Sequence, residues 1–136
     1  MRSCLILLLL VFLSSCVPKQ NVSTIPTKPY NHSGFEGVWK GQGSQDSTTF
    51  WSIKIRIGPK GYYIDYPSVN CGGKLILLHR SAKRIEFREN MTYGRNKCIN
   101  HGRTVLLKDG PNHAQFQWYY TNGKKGAKGS VTRKTQ

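Results

Sequence analysis

Acidic side chains are the scarcest feature of this 136-residue chain: Asp and Glu total 6 against 21 Lys and Arg, a formal net charge of +15. None occurs from Gly110 to the C-terminus. So few carboxylates give no support to paired-carboxylate hydrolysis. No glycine-rich loop leads into a helix, which argues against a nucleotide site. Ser68 lacks the Gly-x-Ser-x-Gly setting of a nucleophile elbow. His79, His101 and His113 are scattered, with no His-x-x-x-His pair, so no metal centre is expected. Neither a catalytic residue nor a cofactor is expected either. The longest apolar run, Leu5 to Leu13, falls well short of the roughly 20 residues a spanning helix needs.

What is present begins with that run. It follows Met1-Arg2-Ser3 and fits the apolar region of a signal peptide. It ends in Leu13-Ser14-Ser15-Cys16, where two small residues directly precede a cysteine. This arrangement resembles the lipobox of bacterial lipoproteins. The resemblance implies cleavage before Cys16, acylation of its thiol and a signal peptide of residues 1–15. It also implies a place in the cell envelope, with the membrane as partner through the lipid anchor. Val17 rather than Asp after the cysteine implies, by the same family rule, the outer membrane facing the periplasm in a diderm host. A plain secretory signal with a cysteine near its end is the competing reading. Residues 16–34 hold Pro18, Pro26 and Pro29 among polar residues without periodicity, and read as the lipidated cysteine and a flexible tether.

With Cys4 removed and Cys16 lipidated, Cys71 and Cys98 remain. In an exported chain they most simply form one disulfide, and a metal site would need further ligands close by. In a cytosolic protein the positive charge would suggest nucleic acid. Export removes that expectation and leaves anionic lipid, an anionic polysaccharide or an acidic envelope protein. Lys124, Lys125, Lys128 and Arg133, in the acid-free C-terminal stretch, are the candidate anion-binding residues. Simple solubility is the plainer explanation of the same charge.

Residues 35–134 read as one antiparallel β domain. Trp51, Ile53, Ile55 and Ile57 fall on one face and Lys54 and Arg56 on the other. Gly58 to Gly61 turns the chain, after which Tyr62, Ile64 and Tyr66 alternate with Tyr63 and Asp65. Leu75-Ile76-Leu77-Leu78 is apolar on both faces and predicts a well-covered strand. Ile85 to Arg88, Thr104 to Leu107 and Ala114 to Tyr120 follow, with Glu36 to Gly41 at the start and Ser130 to Arg133 at the end. The expectation is an all-β meander of about eight strands, closed as a barrel or packed as a sandwich. Glu86 and Glu89 interleave with Arg84 and Arg88 and read as surface ion pairs. Gly72-Gly73 reads as a place for positive φ after the bridged cysteine.

Phe35-Glu36-Gly37-Val38-Trp39-Lys40-Gly41, Tyr66-Pro67-Ser68-Val69-Asn70-Cys71-Gly72-Gly73, Phe87-Arg88-Glu89, Cys98 and Gly102 to Val105 stand in that order, with Trp118 and a Gly129-to-Arg133 ending behind them. Together they resemble a small extracytoplasmic β-domain of bacterial lipoproteins and of the external regions of some bacterial serine/threonine kinases. The resemblance implies the all-β fold and the disulfide, and only loosely a sensing or binding role. The expected function is therefore a non-enzymatic binding or accessory role towards an anionic envelope component or protein. A small envelope hydrolase with His79 or His101 against a carboxylate, and a structural spacer, are the alternatives.

Overall fold

A computed structural model describes residues 34–134. The signal segment, Cys16 and the rest of the tether before Gly34 lie outside the described residues.

Eight strands follow one another in sequence: β1 Gly37–Ser44, β2 Phe50–Gly58, β3 Gly61–Tyr66, β4 Cys71–Arg80, β5 Arg84–Tyr93, β6 Arg103–Lys108, β7 His113–Tyr119 and β8 Lys125–Arg133. Each pairs antiparallel with the next, and β1 pairs with β8, so the meander closes into a barrel, not a sandwich. Closure leaves no sheet edge between the first and last strands. The seam is tight because glycine lines it. A Cβ on Gly41 would lie 1.9 Å from the Ser130 carbonyl oxygen, and one on Gly129 would lie 2.0 Å from that of Gln42.

Alternation fills the interior. Ile53, Ile55 and Ile57 of β2, Ile64 of β3, Ile85, Phe87 and Met91 of β5, and Phe116 of β7 are all buried in one core cluster. An eight-stranded barrel is just wide enough for side chains to fill or to hold one small ligand.

The two ends differ. At the end where residue 34 joins the barrel, Phe35 and Trp39 form a plug, with the Trp39 indole N–H donating to the Phe35 carbonyl at 2.7 Å. The Arg133 guanidinium lies over the Trp39 ring at 5.1 Å. It donates to the carbonyls of Gly34, Glu36 and Pro111 and to the Asn112 side chain. Arg133 is thus a clasp for the closed end.

Two expectations fail here. Ile76, Leu77 and Leu78 are 41%, 36% and 50% exposed, and only Leu75 of that run is buried. The reason is strand length: β3 pairs with β4 only as far as Tyr63↔Lys74, whereas β4 runs on against β5 to Arg80↔Ile85, with a register shift between Leu77 and His79. The outer half of β4 therefore has a neighbour on one side only. Gly72 and Gly73 do not take positive φ; they are regular β4 residues. They are needed for close approach, since a Cβ on Gly73 would sit 2.1 Å from the Asn90 carbonyl oxygen.

Candidate functional site

The opposite end of the barrel is open. Strands β2, β3, β5, β7 and β8 supply Trp51, Tyr66, Glu89, Trp118 and Ala127 to a cavity of ≈ 290 Å³. Val69 from the β3–β4 turn and Lys97, Cys98 and Ile99 from the β5–β6 loop form its rim. Two features hold that loop in place. Cys71–Cys98 is a disulfide, as expected, with Cα atoms 6.2 Å apart. Gly94, at φ 61, passes the β3–β4 turn so closely that a Cβ would lie 2.3 Å from the Asn70 carbonyl oxygen. The loop also returns to the barrel wall, where Asn100 accepts from the Met91 N–H at 2.9 Å.

Glu89 lies on the cavity floor, 1% exposed, and forms no surface ion pair. Period two explains this: Ile85, Phe87, Glu89 and Met91 all point inward. Tyr66 and Thr104 both donate hydroxyl hydrogen bonds to its Oε1, at 2.6 and 2.5 Å. Burial pushes its carboxyl above the ordinary value of 4.5, while hydrogen bonds from Thr104, Tyr66 and Trp118 oppose the rise. Burial, and then the nearby Glu89 charge, pushes the Tyr66 hydroxyl well above its usual value. Trp118 is fixed by glycine neighbours. A Cβ on Gly102 would be 2.2 Å from its ring and one on Gly126 would be 2.7 Å away. The Tyr120 ring meets it edge-on at 4.8 Å. Glu86, by contrast, is ion-paired with Arg84 as expected, but its second partner is Arg103 rather than Arg88, and it is nearly buried rather than on the surface.

The candidate anion-binding residues are not brought to one place. Lys124 lies in the β7–β8 turn, Lys125 over the Tyr119 ring at 5.7 Å, and Lys128 along β8. Lys125 and Lys128 share a shallow outer depression with Gln115 and Gln117. Arg133 stands at the far end of β8 and is engaged by the closed-end carbonyls. His79 and His101 are exposed and outside the cavity. Among the described residues, the histidine that meets a carboxylate is His113, on Asp109, at the β6–β7 turn. Burial at the Ser68 position is low and its hydroxyl accepts from the Ser52 N–H, while the Ser52 hydroxyl accepts from the Ser68 N–H. Among the described residues no group of three metal-ligating side chains occurs.

No protein-family model matches the chain. No curated protein matches it either. Among solved structures, a redesigned β-barrel bound to DFHBI is similar at a TM-score of 0.48 and 12% identity, covering 74% of this chain and 95% of that one. A second redesigned β-barrel gives 0.46 and 13%, covering 76% and 94%.

Proposed function

We propose that this protein is a lipid-anchored envelope protein, acylated at Cys16, whose barrel works by binding and not by catalysis. The mouth takes a small, largely apolar molecule carrying one anionic group. The observation that carries this reading is the open cavity at the pole opposite residue 34. Trp51, Val69, Ile99 and Trp118 offer apolar wall, and the exposed Lys97 at the rim suits the anionic group. The reading against catalysis rests on the hydroxyls around the Glu89 carboxyl: those of Tyr66 and Thr104 both donate to it.

The test is titration with the fluorescent amphipathic anion 1-anilinonaphthalene-8-sulfonate. One equivalent is expected to bind with energy transfer from tryptophan. Val69→Trp, which fills the cavity, is expected to abolish binding, and Lys97→Glu to weaken it. Binding that is untouched by Val69→Trp would sink the proposal.

A further inference from the structure

A second concavity lies on the outer wall near the same open end, lined by residues other than those of the mouth, although its Tyr120 packs against Trp118. Ile76 and Leu78 of β4 form one side, Arg88 and Arg103 the floor, and Tyr120 to Gly123 the other side, enclosing a groove of ≈ 870 Å³. Three observations on this wall belong together. Arg88 and Arg103 are direct cross-strand partners, an arrangement that like charges destabilise. Glu86 compensates only one of them, accepting from Arg103 at 3.1 Å, while Tyr119 lies 4.6 Å beneath the same guanidinium. Ile76, the partner of Arg88 across β4, is exposed, as is Leu78. Two arginines facing each other across neighbouring strands, in a groove shared with exposed aliphatic side chains, suit an anion bearing a hydrocarbon chain.

We infer that this groove binds the headgroup of an anionic phospholipid. The phosphate bridges Arg88 and Arg103, and the start of an acyl chain lies along Ile76 and Leu78. Guanidinium suits the phosphate because its planar fork gives paired, charge-assisted N–H···O bonds. Arg103 keeps donors for this beyond the one given to Glu86, since the group carries five. The net charge of +15 argues against a second copy of this chain as the occupant. Ile76 and Leu78 argue against an ion alone, since burying them contributes only if the ligand has an apolar part. This inference is independent of the mouth site.

All eight strands and the disulfide lie between Gly37 and Arg133, so a chain starting at Val17 retains the barrel without the signal run or an acyl group. Its amide NMR shifts are to be followed during titration with dihexanoyl phosphatidylglycerol below micelle formation. Parallel arms use dihexanoyl phosphatidylcholine and inorganic phosphate. The expected result is saturable shifts at Ile76, Arg88 and Arg103 with the anionic lipid, and weaker binding in both other arms. Arg88→Gln should weaken binding by about tenfold or more, the loss that follows when a hydrogen bond to a charged group is removed. Ile76→Ser should weaken it too, and Lys60→Gln, which removes one exposed cation elsewhere, should not. Equal losses for Arg88→Gln and Lys60→Gln would overturn the inference in favour of a diffuse field. Equal affinity for inorganic phosphate, or shifts confined to the mouth, would overturn it as well. Unchanged spectra outside the groove confirm that each variant is folded.

Discussion

The Cys71–Cys98 bridge closes a 27-residue separation and fastens the loop that rims the cavity. Cys98→Ser removes that constraint from the unfolded chain. For a loop of this size the chain-entropy argument gives about 3.5 kcal/mol at 25 °C. In a domain of roughly 100 residues, that corresponds to a fall in Tm of about 15–25 °C. The assay is urea unfolding followed by tryptophan fluorescence, with wild type under oxidising and reducing conditions beside Cys98→Ser and Cys71→Ser. Both variants and the reduced wild type should shift to a lower midpoint by the same amount. The loop retains other ties, including Asn100 to the Met91 N–H and the Arg95 side chain to the Met91 carbonyl at 2.8 Å. A loss below about 1 kcal/mol would mean that these ties, worth about 1 kcal/mol each, already order the loop, and would refute the reasoning.

Other outcomes follow from single side chains. Arg133→Gln leaves the closed-end carbonyls short of a charged donor and should cost about 2–3 kcal/mol by denaturation, without changing binding at the mouth. Gly129→Ala places a Cβ against backbone on the adjoining strand, so the seam must open; far-UV circular dichroism should show a protein destabilised by about 3 kcal/mol or unfolded. The pH dependence of stability should carry the sign of Glu89. Its folded-state value lies above 4.5, so the folded protein holds this proton to higher pH than the unfolded chain. Its contribution is then fully present below about 4.5 and declines as pH rises through the folded value. Glu89→Gln should flatten the stability profile over that window, while the opposite slopes from Asp46 and Asp109, whose values are lowered, stay below about 3.8.

Strands were legible where apolar and polar residues alternate cleanly. Trp51 to Ile57, Tyr62 to Tyr66 and Ala114 to Trp118 show inward and outward positions that match their burial. The run Leu75 to Leu78 misled because covering depends on the length of the neighbouring strand, which no local pattern encodes. Glu89 misled for a different reason. Its nearness to Arg84 and Arg88 in sequence suggested ion pairing, yet the spacing Ile85, Phe87, Glu89, Met91 already placed it inside. Period two was the stronger signal and charge interleaving the weaker. The β5–β6 loop carries no periodicity, so the placing of Lys97 and Ile99 over the mouth came only with the fold. Arg133 looked like a free cation because its carbonyl partners are 97 and 99 residues away at Glu36 and Gly34.

The proposed binding site is a barrel mouth whose floor is the buried Glu89 carboxyl. The direct measurement is a ¹³C NMR titration of the Glu89 side-chain carboxyl, with and without saturating 1-anilinonaphthalene-8-sulfonate. In the free protein the midpoint should lie above the ordinary carboxylate value. It should rise further when the ligand is bound, because the aromatic anion displaces water from the cavity and adds negative charge near Glu89. A midpoint at the ordinary value, or one identical with and without the ligand, would contradict the proposal.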